Sequence, residues 1–172
     1  MDETSSGAYT IGMRIPAFSI AALSVAMACT KQAPEPAAEA PAMAPDLTLM
    51  QRLEVEARSR PSQTARAEEV LAALEASGIR LVGRKQMYAR TIGASYCFGA
   101  RTERGMGVAV CEFSDEGAAQ RGRNYSIETF RKLIPHRELL LNRKTLMTLV
   151  RPDKTPAIDA EAKAAATVFA RL

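Results

Sequence analysis

Apolar positions along the chain switch between two spacings, and each switch marks an element. Between about Gln63 and Ser77, Ala67, Val70, Leu71 and Leu74 recur at i, i+3, i+4 and i+7, which predicts a helix with one buried stripe. Glu68 and Glu69 near its start suit the helix dipole, and Gly78 supplies a left-handed stop. A shorter helix precedes it, capped by Asp46, with Met50, Leu53 and Ala57 on one side, running to about Ser59 and ended by Pro61. Alternation then takes over. In "IRLVG", Ile79, Leu81 and Gly83 share a face, residues 84–93 read equally as strand or loop, and "ASYCFGART" and "MGVAVCEF" form two strands about "ERG". Ser114, with Asp115 and Glu116 behind it, caps a helix to about Leu133 whose inner side is Ala118, Gly122, Tyr125, Phe130 and Leu133. "RELLLN" and "TLMTLVR" make a second hairpin around Arg143 and Lys144. Thr155 and Pro156 open a last helix with the stripe Ile158, Ala162, Ala165, Phe169 and Leu172. Hairpins separated by helices predict an α+β fold: a two-layer sandwich, its antiparallel or mixed sheet of about four to five strands covered by helices on one face.

One apolar run has neither spacing. Ile15–Ala28 holds fourteen uncharged residues directly after Arg14. A membrane-spanning helix needs about 20, whereas the h-region of a secretory signal takes roughly 7–15. The preceding "MDETSSGAYTIG" contains two acids and no base, so Met13 is the start that fits a signal. Ala26-Met27-Ala28 satisfies the small-x-small cleavage pattern, and Cys29 follows it. The stretch "MRIPAFSIAALSVAMAC" thereby resembles the leader of bacterial lipoproteins, whose Leu-small-small-Cys lipobox is lipidated on its cysteine. It departs from that pattern at Ala26, where Leu or Val is usual, and at the bulky Met27, which keeps plain secretion as the alternative. The resemblance implies loss of residues 1–28, a diacylglycerol thioether on Cys29, and a membrane anchor facing the periplasm. Thr30, rather than Asp, favours the outer membrane. Residues 108–126, "VAVCEFSDEGAAQRGRNYS", with the later "TLMTLV", are also similar to small uncharacterised bacterial lipoproteins, a likeness that implies no activity.

The Ala-, Pro- and Glu-rich stretch Thr30–Pro45 cannot bury enough apolar surface to offset ordering, so it reads as a linker. Residues 46–172 then form a single domain. Its charge is uneven: residues 80–151 hold 14 bases and 6 acids, a net +8. Arg84, Lys85, Arg121, Arg123, Arg131, Lys132, Arg143 and Lys144 are candidates for a surface meeting anionic lipid, an anionic envelope polymer or an envelope protein, beside the simpler reading of a solvated basic surface. Nucleic acid is not expected for an exported chain with no Trp and no aromatic residues interleaved with bases.

Cys97 and Cys111 belong to the first hairpin. With Glu103-Arg104-Gly105 as a three-residue loop and Gly105 left-handed, pairing runs from Thr102–Met106 to Cys97–Cys111. The cysteines fall opposite each other at a non-hydrogen-bonded position, where side chains are closest. In an oxidising compartment they are expected to form a disulfide, with reduced packing cysteines as the alternative. One face of this hairpin collects Tyr96, Phe98, Ala100, Val108 and Val110 and reads as core. The other collects Cys97, Gly99, Gly107, Ala109 and Cys111, small residues that are either solvated or pressed under another element.

Catalytic patterns are missing. His136, the one histidine, sits on a predicted loop, and a Ser/His/Asp or Cys/His set would have to pass through it. The glycines of "GARTERGMG" match no phosphate-binding loop, and the chain has no C-x-x-C or zinc-ligand set. No cofactor or metal is expected. The sequence favours a non-enzymatic envelope module. The alternative is a small-molecule or lipid binder using the space between sheet and helices, and an enzyme with an unfamiliar site ranks last.

Overall fold

The computed structural model describes residues 47–62 and 65–172, so Cys29, the linker and Asp46 lie outside the described residues. The described residues belong to the compact unit Pro41–Leu172. Its sheet has five strands: β1 (Leu81–Met87), β2 (Tyr96–Thr102), β3 (Gly107–Glu112), β4 (Arg137–Asn142) and β5 (Thr145–Val150). They are antiparallel throughout, in the order β1-β2-β3-β5-β4. The helices are α1 (Leu49–Arg58), α2 (Ala67–Ala76), α3 (Glu116–Phe130) and α4 (Pro156–Phe169), and a 3₁₀ turn covers Ala89–Ile92. The α+β class and the antiparallel sheet agree with the sequence pattern.

Local chemistry sets the element ends. Thr48, rather than Asp46, is the first N-cap: its hydroxyl accepts from the Gln51 N–H, and the Gln51 side chain accepts in return from the Thr48 N–H. Gly78 (φ +92°) follows α2, as its sequence position suggests. Asp115, one residue beyond the expected Ser114, caps α3 by accepting from the Ala118 N–H at 2.7 Å. That bond holds the Asp115 carboxyl below the usual carboxylate range. Thr155 and Pro156 open α4 as expected.

The central hairpin has the register read from the sequence, from Arg101 opposite Gly107 to Cys97 opposite Cys111. The Thr102 N–H donates to the Met106 carbonyl, and Gly105 is left-handed (φ +87°). On one sheet face Tyr96, Ala100, Val108, Val110, Met147 and Leu149 meet Val70, Leu71 and Leu74 of α2 and Ala162, Ala165 and Phe169 of α4. Leu172, expected on the α4 stripe, is about half exposed, because the helix ends at Phe169.

Helices do not lie on one face alone. The other face carries Cys97, Cys111 and Leu146, and they are covered by α3 and the 3₁₀ turn through Phe113, Ala119 and Ala89. The buried side of α3 is Ala119, Gly122 and Ser126. Tyr125 and Leu133, expected inward, are exposed. The reason is steric. A Cβ on Gly122 would lie 2.6 Å from the Phe113 Cζ and 2.7 Å from the Ile92 carbonyl oxygen, so α3 turns a glycine to this contact.

Cys97 and Cys111 form a disulfide, with Cα atoms 4.1 Å apart and both residues buried beneath that cover. By the loop-length relation this bridge stabilises the fold by about 3 kcal/mol. The paired substitution Cys97→Ala/Cys111→Ala is expected to lower the urea-unfolding free energy by about that amount with the slope nearly unchanged. Free, alkylatable thiols at 97 and 111 in protein taken from cells would overturn the assignment.

Candidate functional site

Two features go beyond what a packed core requires. The first is an ionic cluster centred on a buried carboxylate. Glu112 ends β3 on the face covered by α2 and α4, fully buried. Its carboxylate accepts from Arg60 (3.2 Å to Nε, with a second contact from Nη2) and from the Ala67 N–H at the start of α2 (2.7 Å). Arg60, in the α1–α2 connection, also donates to both oxygens of Glu68, and its guanidinium lies 3.8 Å from the centre of the Tyr96 ring. The Tyr96 hydroxyl donates to Glu68 at 2.9 Å.

Every charge in this cluster has a partner. Burial works against the Arg60 charge, but its bonds to Glu112 and Glu68 outweigh that and raise its pKa. Burial pushes Glu68 up, and the Arg60 guanidinium and Tyr96 hydroxyl more than reverse it, so its pKa lies below the usual range. Burial together with the bond to Glu68 pushes Tyr96 up to about 12. A saturated cluster leaves no free acid, base or nucleophile. It fastens the α1–α2 connection and the start of α2 to the sheet.

The second feature is a groove on the opposite face. The cover formed by α3 and the 3₁₀ turn takes in Cys97 and Cys111 but not the opposite ends of β2, β3 and β5. What it leaves open is an apolar trough of about 660 Å³ lined by, among others, Val82, Met87, Gly99, Ala109 and Val150. The floor is low because Gly99, Gly107 and Ala109 alternate onto this face. A Cβ on Gly99 would lie 2.6 Å from the Val108 carbonyl oxygen and 2.9 Å from the Met87 Cε, so this glycine is needed where Met87 folds over it. Among the described residues no acid lines the trough, and Lys85 and Arg101 stand in its wall.

A β-bulge places Lys85 there. Val82 pairs with Arg101, but Lys85 pairs with Gly99, so β1 carries one residue more than β2 over this step. Gly83, with φ +63°, takes the left-handed conformation the bulge requires. The extra residue reverses the side-chain alternation. Arg84 turns to the helix layer and pairs with Glu75 of α2, while Lys85 joins Met87 and Gly99 on the groove face.

The structure distributes the sequence-nominated bases. Arg121 and Arg123 lie in α3, Arg131 and Lys132 at its far end, and Arg143 and Lys144 in the β4–β5 turn beside Phe113. A helix of 15 residues is about 22 Å long, so its ends serve different parts of the surface. Only Lys85 of the eight meets the groove. His136 precedes β4, where its carbonyl accepts from the Arg151 N–H, and it does not line the groove. Among the described residues no group of three or more His, Cys, Asp or Glu could hold a metal ion, and no helix is long and apolar enough to cross a membrane. The space between sheet and helices, the expected place for a ligand, is filled by core side chains.

The cluster residues Arg60 and Glu112 escaped the sequence reading. The signal was present: Glu112 follows Val108 and Val110 on the core parity of β3, and a buried acid requires a partner. Compared with family models, curated proteins and solved structures, the chain matches none.

Glu112→Gln is expected to cost about 3 kcal/mol of stability, because it removes the fully buried member of the ion pair and leaves the half-buried Arg60 guanidinium with Glu68 alone. Glu54→Gln, at the exposed Arg58 pair, is expected to cost under about 1 kcal/mol, and equal effects would contradict the cluster's role. Tyr96 has its own pH signature. Its pKa is raised on folding, so the native state keeps a proton that the unfolded chain releases above about pH 10. Its contribution is whole below that pH and is lost as pH rises toward about 12. Urea midpoints measured from pH 9 upward should therefore fall less steeply for Tyr96→Phe than for the native chain.

Proposed function

We propose that the protein is a lipid-anchored protein of the bacterial cell envelope, and that its folded domain is a binding module rather than an enzyme. The groove carries the second half of this reading. Small-molecule sites are mostly apolar and typically measure about 300–1,000 Å³. A trough of about 660 Å³, floored by backbone and small side chains held in a sheet, falls in that range. Its floor is rigid before any ligand arrives, so binding there loses little to reorganisation. The cluster around Glu112 supports the non-enzymatic part, since its charges are spent on one another.

The anchor rests on the leader ending at Cys29, with the periplasmic side of the outer membrane as the favoured address. The Cys97–Cys111 disulfide supports export, because such bridges persist in oxidising compartments.

Metabolic labelling with an alkyne-tagged palmitate should mark the protein, and Cys29→Ala should lose both label and membrane association. Cleaved, unlabelled protein released from the membrane would instead mean plain secretion. Ala109→Leu, which raises the groove floor, should lower affinity for an uncharged polarity-sensitive dye by about tenfold without altering the unfolding midpoint. Unchanged dye binding would overturn the groove as the site.

A further inference from the structure

The groove carries a charge pattern as well as a shape. Lys85 on β1 and Arg101 on β2 are both exposed on this face, and neither has a partner among the described residues. Other bases nearby are engaged: Arg84 with Glu75, Arg80 with Glu103, Arg104 with Glu161 and Arg151 with Asp159. Lys85 pairs with Gly99 and Arg101 lies two residues further along β2, so the two cations are diagonal neighbours. Such neighbours are about 7–8 Å apart, within joint reach of one small anionic group. The Gly83 bulge is what brings this about. Without its extra residue, Arg84 would stand at the groove and Lys85 would face α2.

We infer that the groove binds a single-chain amphiphile with a carboxylate headgroup, of the fatty-acid class. The headgroup sits between Lys85 and Arg101, and the chain lies across Met87, Gly99 and Ala109 toward Val150. This rests on the binding-module reading and names its ligand. Three observations select the class. The Arg101 fork matches a carboxylate in bidentate geometry, with Lys85 adding a second positive charge. From β1 to β5 the floor spans three inter-strand steps, about 14 Å, which suits one chain of roughly a dozen carbons. Met87, unbranched and lying over Gly99, can shift to admit chains of different thickness. A protein partner would ordinarily bury about 800 Å² on each side, far more than this trough offers.

The test uses residues 41–172, the compact unit with its own core and disulfide. Laurate, monolauroylglycerol, dodecyl phosphate and acetate are titrated below their micelle concentrations. Binding is followed by the Met87 methyl resonance, assigned with Met87→Leu. Laurate is expected to bind and move this resonance. Lys85→Gln and Arg101→Gln should each weaken laurate about tenfold or more, as expected for losing a charge-assisted hydrogen bond. Both should leave monolauroylglycerol unchanged, and added salt should weaken laurate but not monolauroylglycerol.

Equal binding of laurate and monolauroylglycerol would overturn the anionic class while leaving the binding module standing. Tighter binding of dodecyl phosphate than laurate would replace the carboxylate by a phosphate headgroup. Acetate binding as tightly as laurate would overturn the role of the chain. Failure of every amphiphile and of the uncharged dye would overturn both readings. A concentration-dependent shift of the Met87 resonance without ligand would make a second copy the occupant.

Discussion

Side chains in a β-strand alternate between two faces, and the central hairpin sorts them by size as they do so. Large residues of β2 and β3 fall on one face, where α2 and α4 meet them. Small ones fall on the other. The rest of the molecule depends on that sorting. The large face closes the main core. The small face lets two cysteines join beneath α3 and leaves a low floor where α3 does not reach. Shifting the register by one residue would exchange the faces and remove core, disulfide and groove together.

Glu112 follows this sorting by size but brings a charge to the large face. An acid on the large face would be costly if left alone, since a buried charge without partners is destabilising. Here it collects the Arg60 guanidinium and the first N–H of α2, so the strand end, the α1–α2 connection and the helix start converge on one carboxylate. Glu56 works in a similar way on a smaller scale. Its carboxyl is buried against the N–H groups of Ala89 and Arg90 and ties α1 to the 3₁₀ turn. Burial raises its pKa, a rise those N–H groups only partly offset.

The groove joins these structural constraints to the proposed function. Its floor follows from alternation in the hairpin, its length from the reach of α3, and its charge from a single extra residue in β1. The bulge separates two adjacent bases, assigning Arg84 to the helix layer and Lys85 to the groove. A charged wall on an apolar floor is a physical basis for selecting amphiphiles over purely apolar or purely charged molecules.

By itself the sequence determined what depends on near neighbours. The register of the central hairpin follows from Gly105 and the alternation around it, and the disulfide follows from the register. The stripes of α2 and α4 and the Thr155–Pro156 helix start are local as well, whereas the proposed leader ending at Cys29 lies outside the described residues. Tertiary structure decided what depends on distant contacts. Periodicity assigns α3 a buried side but cannot say which sheet face receives it; the fit of Gly122 against Phe113 and Ile92 decides that. A β-bulge interrupts a strand without announcing itself in the apolar pattern, so which base would reach the small face could not be read from spacing. Nor could spacing show that Arg60 and Glu112, 52 residues apart, would meet, because burial and charge pairing act through space rather than along the chain.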